Sequence, residues 1–327
     1  MRFIDLDGQQ LSVVGLGCWQ FGAKEWGYGS EYSLEDSLAV LRRALELGVT
    51  VFDTAELYGS GRSETLVGDA LHDWDRDRFL ATKFLPIVPL PNVMVAHCER
   101  SLERLQVPLV DLYQIHWPNP AVPLSRQMEG MRRILASGWS RHAGVSNFSL
   151  KGWISAERCL GQAVLSNQVR YNLLQRKPEE GLLDYAQQHS RLVFAYSPLA
   201  QGILSGRYHS GNAPRDLRRA NTMFTDIALD AAEPVLKLLL EVADAHHCTS
   251  SQAALAYVIS HPRVIAIPGA KSVAQLESNV EAAQIELGDD EVLALRRVAD
   301  LFQYSWARAA TQVAGRLLGS RIRGKAA

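Results

Sequence analysis

Eight short apolar runs alternate with helix-patterned stretches along this chain. They are Val13 to Leu16, Val51-Phe52-Asp53, Phe79 to Lys83, Leu109 to His116, Ala143 to Ser146, Val164 to Gln168, Leu192 to Tyr196 and Val264 to Ile267. After the first run, Leu34, Leu38, Leu41 and Leu45 recur at spacings of four, three and four, which puts them on one helix face. Ser33 is placed to cap that helix with Asp36 completing a capping box, and Gly48 to stop it. Strands that alternate with helices imply a parallel sheet, and eight of them close a (β/α)8 barrel. Before the first run, Phe3-Ile4, the turn signal Asp7-Gly8 and the stretch from Leu11 predict a short β-hairpin.

Six of the runs end on a polar residue: Asp53, Lys83, His116, Ser146, Gln168 and Tyr196. Turns are polar anyway, so one such residue would say little. Six at successive strand ends mark the C-terminal rim, where a barrel of this kind carries its site. The expected organisation is one barrel over residues 1–300 and a C-terminal tail or loop over 301–327 lying across the rim. A Gly- and Arg-rich loop from Ala200 to Thr222 interrupts the alternation, and the tail after Phe302 holds five basic residues and no acidic one. Loops of that length in a barrel are usually functional.

The charge balance is close to zero, with 34 basic against 35 acidic side chains. That excludes a polyanion-binding surface over the whole molecule, so no nucleic-acid partner is expected. Hydrophobic residues at 47% and charged residues at 21% are the proportions of a globular protein. The four cysteines form no CxxC pair, which argues against a disulfide framework and a zinc site. The start MRFIDLDGQQ lacks the apolar core of a signal peptide, and no stretch approaches the roughly 20 apolar residues of a membrane helix. The expectation is therefore a cytoplasmic protein with no membrane partner. The dinucleotide fingerprint GxGxxG is incomplete after both Gly15-Leu16-Gly17 and Gly59-Ser60-Gly61, so a Rossmann domain is unsupported. Gly144 to Phe148 fails the nucleophile-elbow pattern at its last position.

Several segments together resemble the aldo-keto reductases. They are GLGCWQFG (15–22), FDTAELYGSGRSE (52–64), ATKF (81–84), DLYQIHWP (111–118), GVSNF (144–148), SNQVRYNLL (166–174), AYSPLAQGILSG (195–206) and IPGAKS (267–272) with Asn279. The resemblance covers about residues 10–300, and IPGAKS is similar to the bacterial and potassium-channel β-subunit-like branches. It implies a (β/α)8 barrel that binds NADP(H) across its C-terminal rim and transfers hydride reversibly between nicotinamide and an aldehyde or ketone. It also implies a catalytic tetrad of Asp53, Tyr58, Lys83 and His116.

Elementary chemistry supports those residue types. Hydride delivered to a carbonyl carbon leaves negative charge on oxygen, so a proton donor must stand there. A free tyrosine, with a pKa near 10, is a reluctant acid, and a neighbouring ammonium is expected to lower it. Tyr58 is thus the expected proton donor, Lys83 its tuner, Asp53 the group that orients Lys83, and His116 the group that positions the carbonyl.

By resemblance, Ser146, Asn147 and Gln168 hold the nicotinamide carboxamide and Tyr196 stacks on its ring. Ser197, Leu199, Gln201 and Gly202 meet the pyrophosphate, and Gly269, Lys271, Ser272, Gln275 and Asn279 the adenosine end. Gly17, Trp19 and Asp53 are also assigned to the cofactor. Gln275 stands where better-known reductases carry an Arg, and Lys271 lacks the planar fork of that residue, so NAD(H) stays open beside NADP(H). Trp19, Trp26, Tyr28, Tyr58, Phe84, His116 and Trp117 are the expected substrate contacts, an aromatic setting suited to apolar carbonyl compounds. Cys18 replaces a small polar residue of the family and is either inert or an oxidisable thiol at the pocket mouth. His246-His247 reads as a helix C-terminal pair rather than a metal site. The basic tail from Ser305 to Lys325 is expected to pack on the barrel and fray at its end. Two other readings use the same fold: a redox-sensing regulatory subunit, and a Schiff-base lyase with Lys83 as nucleophile. Oligomeric state is open.

Overall fold

The computed structural model describes residues 1–72, 78–214 and 216–323. In chain order the strands are β1 (Phe3–Leu6), β2 (Gln9–Ser12), β3 (Leu16–Gly17), β4 (Val51–Asp53), β5 (Phe79–Phe84), β6 (Val110–Ile115), β7 (Ser140–Ser146), β8 (Ser166–Arg170), β9 (Leu192–Tyr196) and β10 (Val264–Ala266). The helices are α1 (Leu34–Glu46), α2 (Arg62–Leu71), α3 (Pro91–Leu105), α4 (Leu124–Ala136), α5 (Leu150–Leu160), α6 (Leu182–Gln188), α7 (Asp226–Ala245), α8 (Ser250–Val258), α9 (Val273–Glu281), α10 (Asp289–Ala299) and α11 (Trp306–Arg323).

Strands β1 and β2 form the expected hairpin, turning through Asp7 and Gly8 at φ +52° and +91°. Positive φ at both central residues gives a turn whose twist matches the strands. Strands β3 to β10 form one parallel sheet in which each pairs with the next in sequence. The sheet closes on itself: Val14 bridges Ala266, Gly15 N–H donates to Ala266 O at 2.8 Å and Ala266 N–H to Val13 O at 2.9 Å. This is the (β/α)8 barrel that the eight runs imply. Every residue of β5 and of β6 is buried, as both faces of a parallel sheet must be.

Helix α1 carries the expected capping box, with Ser33 Oγ accepting from Asp36 N–H and Asp36 accepting from Ser33 N–H. Its buried face differs from the leucine stripe. Ser37, Val40, Leu41, Ala44 and Leu45 are buried, whereas Leu34 in the first turn is 41% exposed.

The chain divides into two compact units. The first contains residues 1–171, 176–197 and 258–284, and with them the whole sheet, α1 to α6 and α9. The second contains residues 172–175, 198–257 and 285–327. There α7 and α10 are joined by His246 Nε2 on Glu291 at 2.9 Å, so His246 caps α7 and holds a carboxylate. The stretch expected as a tail is helical from Trp306 to Arg323, and its Arg316 holds Asp226 at 3.0 Å. Its alanines and long side chains are good helix formers, which the reading as a loop overlooked. Lys325, counted in the basic tail, lies outside the described residues. No helix of the described residues is long and apolar enough to cross a membrane.

Candidate active site

Asp53 is the last residue of β4, Lys83 the fifth of β5, and His116 directly follows β6. Parallel register sets Asp53 opposite Ala81 and Lys83 opposite Gln114, so neighbouring strand ends bring these side chains to one place. Tyr58 arrives from the loop after β4, at the start of a 3-10 turn over Tyr58–Gly61.

Lys83 is wholly buried, and its three N–H groups are all engaged. They donate to Asp53 Oδ1 at 2.6 Å, to Thr54 O at 2.9 Å and to the Tyr58 hydroxyl at 3.0 Å. The other oxygen of Asp53 accepts from Gln168 Nε2 at 2.7 Å and Gln114 Nε2 at 3.4 Å. Burial alone would pull the Lys83 ammonium down, but Asp53 and Tyr58 outweigh it and hold its pKa above the ordinary value. A lysine so held keeps its proton and has no lone pair to attack a carbonyl, which removes the basis of the Schiff-base reading.

Lys83 acts on Tyr58 in the expected direction, but burial outweighs it. Burial, the largest influence, raises the phenol above the usual value, and Lys83 opposes that without cancelling it. The phenol is therefore firmly protonated near neutrality, the form in which it donates a proton. His116 is pushed down to about 2, first by burial and then by the charge of Lys83, so its imidazole is neutral. Its Nδ1 is buried without a hydrogen-bond partner. The ring lies edge-on to Tyr58 at 5.7 Å and stacks on Trp117 at 3.9 Å. Trp19, 42% exposed, packs against Trp26 at 4.8 Å and faces Tyr58 at 6.3 Å. Trp19, Trp26, Tyr58, His116 and Trp117 are thus one aromatic group. Tyr28 instead packs on Tyr32 with Arg62 over its ring, and Phe84 is wholly buried against His97. Cys18 is also fully buried, and burial drives its thiol far above the usual range, so it is the inert alternative and not a reactive thiol at a pocket mouth.

A second chain of contacts runs round the next strand ends. Ser146 Oγ donates to Gln168 O at 2.9 Å, and Asn147 Nδ2 donates to Ser146 Oγ at 3.0 Å and His116 O at 3.2 Å. Tyr196 donates its hydroxyl to Asn147 Oδ1 at 2.8 Å, which fixes a half-buried ring at the end of β9. Ser197 follows at φ +49°. After β10, Ser272 caps α9 by accepting from Gln275 N–H at 3.3 Å, Gln275 Oε1 accepts from Lys271 N–H at 2.9 Å, and Asn279 is buried. Gly17 and Gly269 are explained by the chain itself. A Cβ on Gly17 would lie 2.6 Å from Ile267 O, and one on Gly269 2.5 Å from Gln20 Oε1. Leu199, Gln201 and Gly202 belong to the second unit, where Gln201 Oε1 accepts from Asn221 Nδ2 at 3.1 Å and Gly202 needs φ +100°.

Two participants escaped the sequence reading. Gln114 lies on β6 two residues before His116, so the period of two could have placed it facing Asp53. Glu56 accepts from Leu85 N–H at 2.5 Å and pairs with His97 at 2.7 Å, which fastens the Tyr58 loop to the end of β5. Nothing in its spacing signals that. Among the described residues no group of three or more His, Cys, Asp or Glu could hold a metal ion.

A closed parallel barrel with a buried Lys-Asp pair, a tyrosine and a neutral histidine at its rim belongs to a recognisable class of oxidoreductase. The model of the aldo/keto reductase family matches residues 13–300, and the chain belongs to that family. It is 46% identical over 304 residues to an uncharacterized oxidoreductase of Mycobacterium tuberculosis, covering 93% of this chain and 94% of that one. It is 34% identical to the methylglyoxal reductase YeaE of Escherichia coli, over 90% and 93% of the two chains. Among solved structures, the aldo-keto reductase of Klebsiella pneumoniae in complex with NADPH superposes with a TM-score of 0.71 at 33% identity, over 91% and 94% of the chains.

Proposed function

We propose that the protein is an NADPH-dependent aldo-keto reductase in which Tyr58 donates the proton. The observation that carries this reading is the Asp53–Lys83–Tyr58 array at 2.6 Å and 3.0 Å, with neutral His116 beside the phenol. When bound, the dinucleotide supplies a hydride to the carbonyl carbon. Negative charge then develops on the carbonyl oxygen, Tyr58 transfers its phenolic proton there, and solvent restores the phenol. Lys83, held in place by Asp53, fixes the phenol and offsets the charge of the transient phenolate. His116 donates an N–H to the same oxygen, and its neutrality keeps a second proton out of the step.

The chain's own residues fit such a cofactor. Tyr196 presents a half-buried ring held by Asn147. Gln168 has its Nε2 committed to Asp53, which leaves Oε1 for a carboxamide N–H. Lys271, Ser272 and Gln275 stand at the N-terminus of α9, where the helix dipole favours phosphate. Ser197, Leu199, Gln201 and Gly202 are the proposed pyrophosphate contacts. Trp19 and Trp117 give the substrate an apolar setting, and both are among the exposed large side chains.

The test is oxidation of NADPH against a panel of aldehydes, ketones, sugars and quinones. At least one carbonyl compound should be reduced, and Tyr58→Phe should lower turnover about 10²- to 10⁴-fold while cofactor still binds. Near-wild-type turnover in that variant overturns the role of Tyr58. A second reading has one observation in its favour. The chain is 31% identical over 309 residues to a putative voltage-gated potassium channel subunit beta of Schizosaccharomyces pombe, over 86% and 88% of the two chains. Co-purification with a stable membrane partner, together with no turnover on the panel, would favour a regulatory role.

A further inference from the structure

Lys271 does not project freely from the start of α9. Its ammonium sits 2.7 Å from Glu31 Oε2 and 5.6 Å from the centre of the Tyr32 ring. Glu31 comes from a tight loop 240 residues earlier in the chain. Its N–H donates to Gly27 O at 2.7 Å, and Gly29 N–H donates to Tyr32 O at 2.8 Å. Gly27, at φ +90°, has no Cβ; one placed there would lie 2.5 Å from Glu31 Cδ. The carboxylate therefore rests in space that a glycine leaves open. The loop is also tied to the segment it reaches. Tyr32 donates its hydroxyl to Gln20 O, and Gln20 Nε2 donates to Ala270 O at 2.9 Å, next to Lys271. An acid is thus built against Lys271 at the N-terminus of α9, where the proposed function has the adenosine end of the cofactor and its phosphate.

We infer that Glu31 sets how strongly the protein distinguishes a 2′-phosphorylated dinucleotide from an unphosphorylated one. This rests on the assignment of Lys271 to the adenosine end. A 2′-phosphate must compete with Glu31 for the ammonium and meets the repulsion of a second anion. A 2′-hydroxyl meets a carboxylate that accepts hydrogen bonds, the arrangement by which an acidic side chain elsewhere selects NAD. Glu31 is 59% exposed in its side chain, so the effect is a tuning of preference rather than a switch.

The experiment is titration of tryptophan fluorescence with NADPH and with NADH in the wild type, Glu31→Gln, Glu31→Ala and Lys271→Met, at low and high salt. Removing the Glu31 charge should tighten NADPH binding about three- to tenfold and leave NADH unchanged or weaker, an effect that shrinks with salt. Lys271→Met should weaken NADPH and spare NADH. An unchanged NADPH-to-NADH ratio of dissociation constants in both Glu31 variants overturns this inference and leaves the cofactor assignment standing. Failure of the wild type to bind either nucleotide overturns both.

Discussion

Lys83 and Lys271 each hold one carboxylate at almost the same distance, 2.6 Å for Asp53 and 2.7 Å for Glu31. Their surroundings separate them. The Lys83 pair has side-chain exposures of 0% and 3%, the Lys271 pair 28% and 59%. Inside the barrel neither charge has water to fall back on, so the pair is fixed and its remaining donors must be satisfied by Thr54 and Tyr58. At the rim, water screens the attraction and either partner can be exchanged for a ligand at small cost. The distance between two charges therefore says little about their role; solvent access separates a framework from a clasp.

The sharpest way to break this contrast is to remove one carboxylate. Asp53→Ala strands the Lys83 charge in the barrel and should cost about 3–5 kcal/mol of stability in urea unfolding. Adding Lys83→Met should recover much of that loss, giving a large coupling between the two sites. A cost for Asp53→Ala below about 1 kcal/mol would erase the distinction.

His116 extends the argument from pairs to single groups. It is 6% exposed, and its pKa falls from 6.5 to about 2. A histidine depressed in this way is neutral when folded and protonated when unfolded at mildly acidic pH. The stability it supports is present above its unfolded pKa and lost as pH falls below it. The slope is about 1.4 kcal/mol per pH unit. Between neutrality and about pH 5 the wild type should therefore lose about 2 kcal/mol more than His116→Gln, by urea titration at each pH. Parallel stability profiles would mean that His116 is not held neutral.

The sequence made the barrel legible because the strands are short apolar runs, six of the eight closed by a polar residue, and Asp53, Lys83 and His116 fall at successive ends of those runs. What escaped it depends on distance across the fold. The net direction at Tyr58 is a balance between burial and Lys83, and only the packed structure weighs the two. Cys18 reads like a thiol at a pocket mouth until the backbone around it is closed. Phe84 follows Lys83 in sequence, yet alternation along β5 turns its ring to His97. Glu31 carried no signal at all, since its partner is 240 residues away. The helix from Trp306 to Arg323 was hidden by the expectation that basic tails fray.

The smallest expected effect tests the other half of the comparison. Glu31→Gln should change stability by less than about 1 kcal/mol, and a double-mutant cycle with Lys271→Met should give a coupling of about 0.2–1 kcal/mol at low salt. That coupling should fade as the Debye length shortens towards about 3 Å near 1 M salt, whereas the Asp53–Lys83 coupling should hardly change. Salt is the informative variable because it acts on charges that water already reaches. If the Lys271–Glu31 coupling were salt-resistant or several kcal/mol in size, the rim pair would be part of the framework. Glu31 would then be too firmly held to yield its place to a 2′-phosphate.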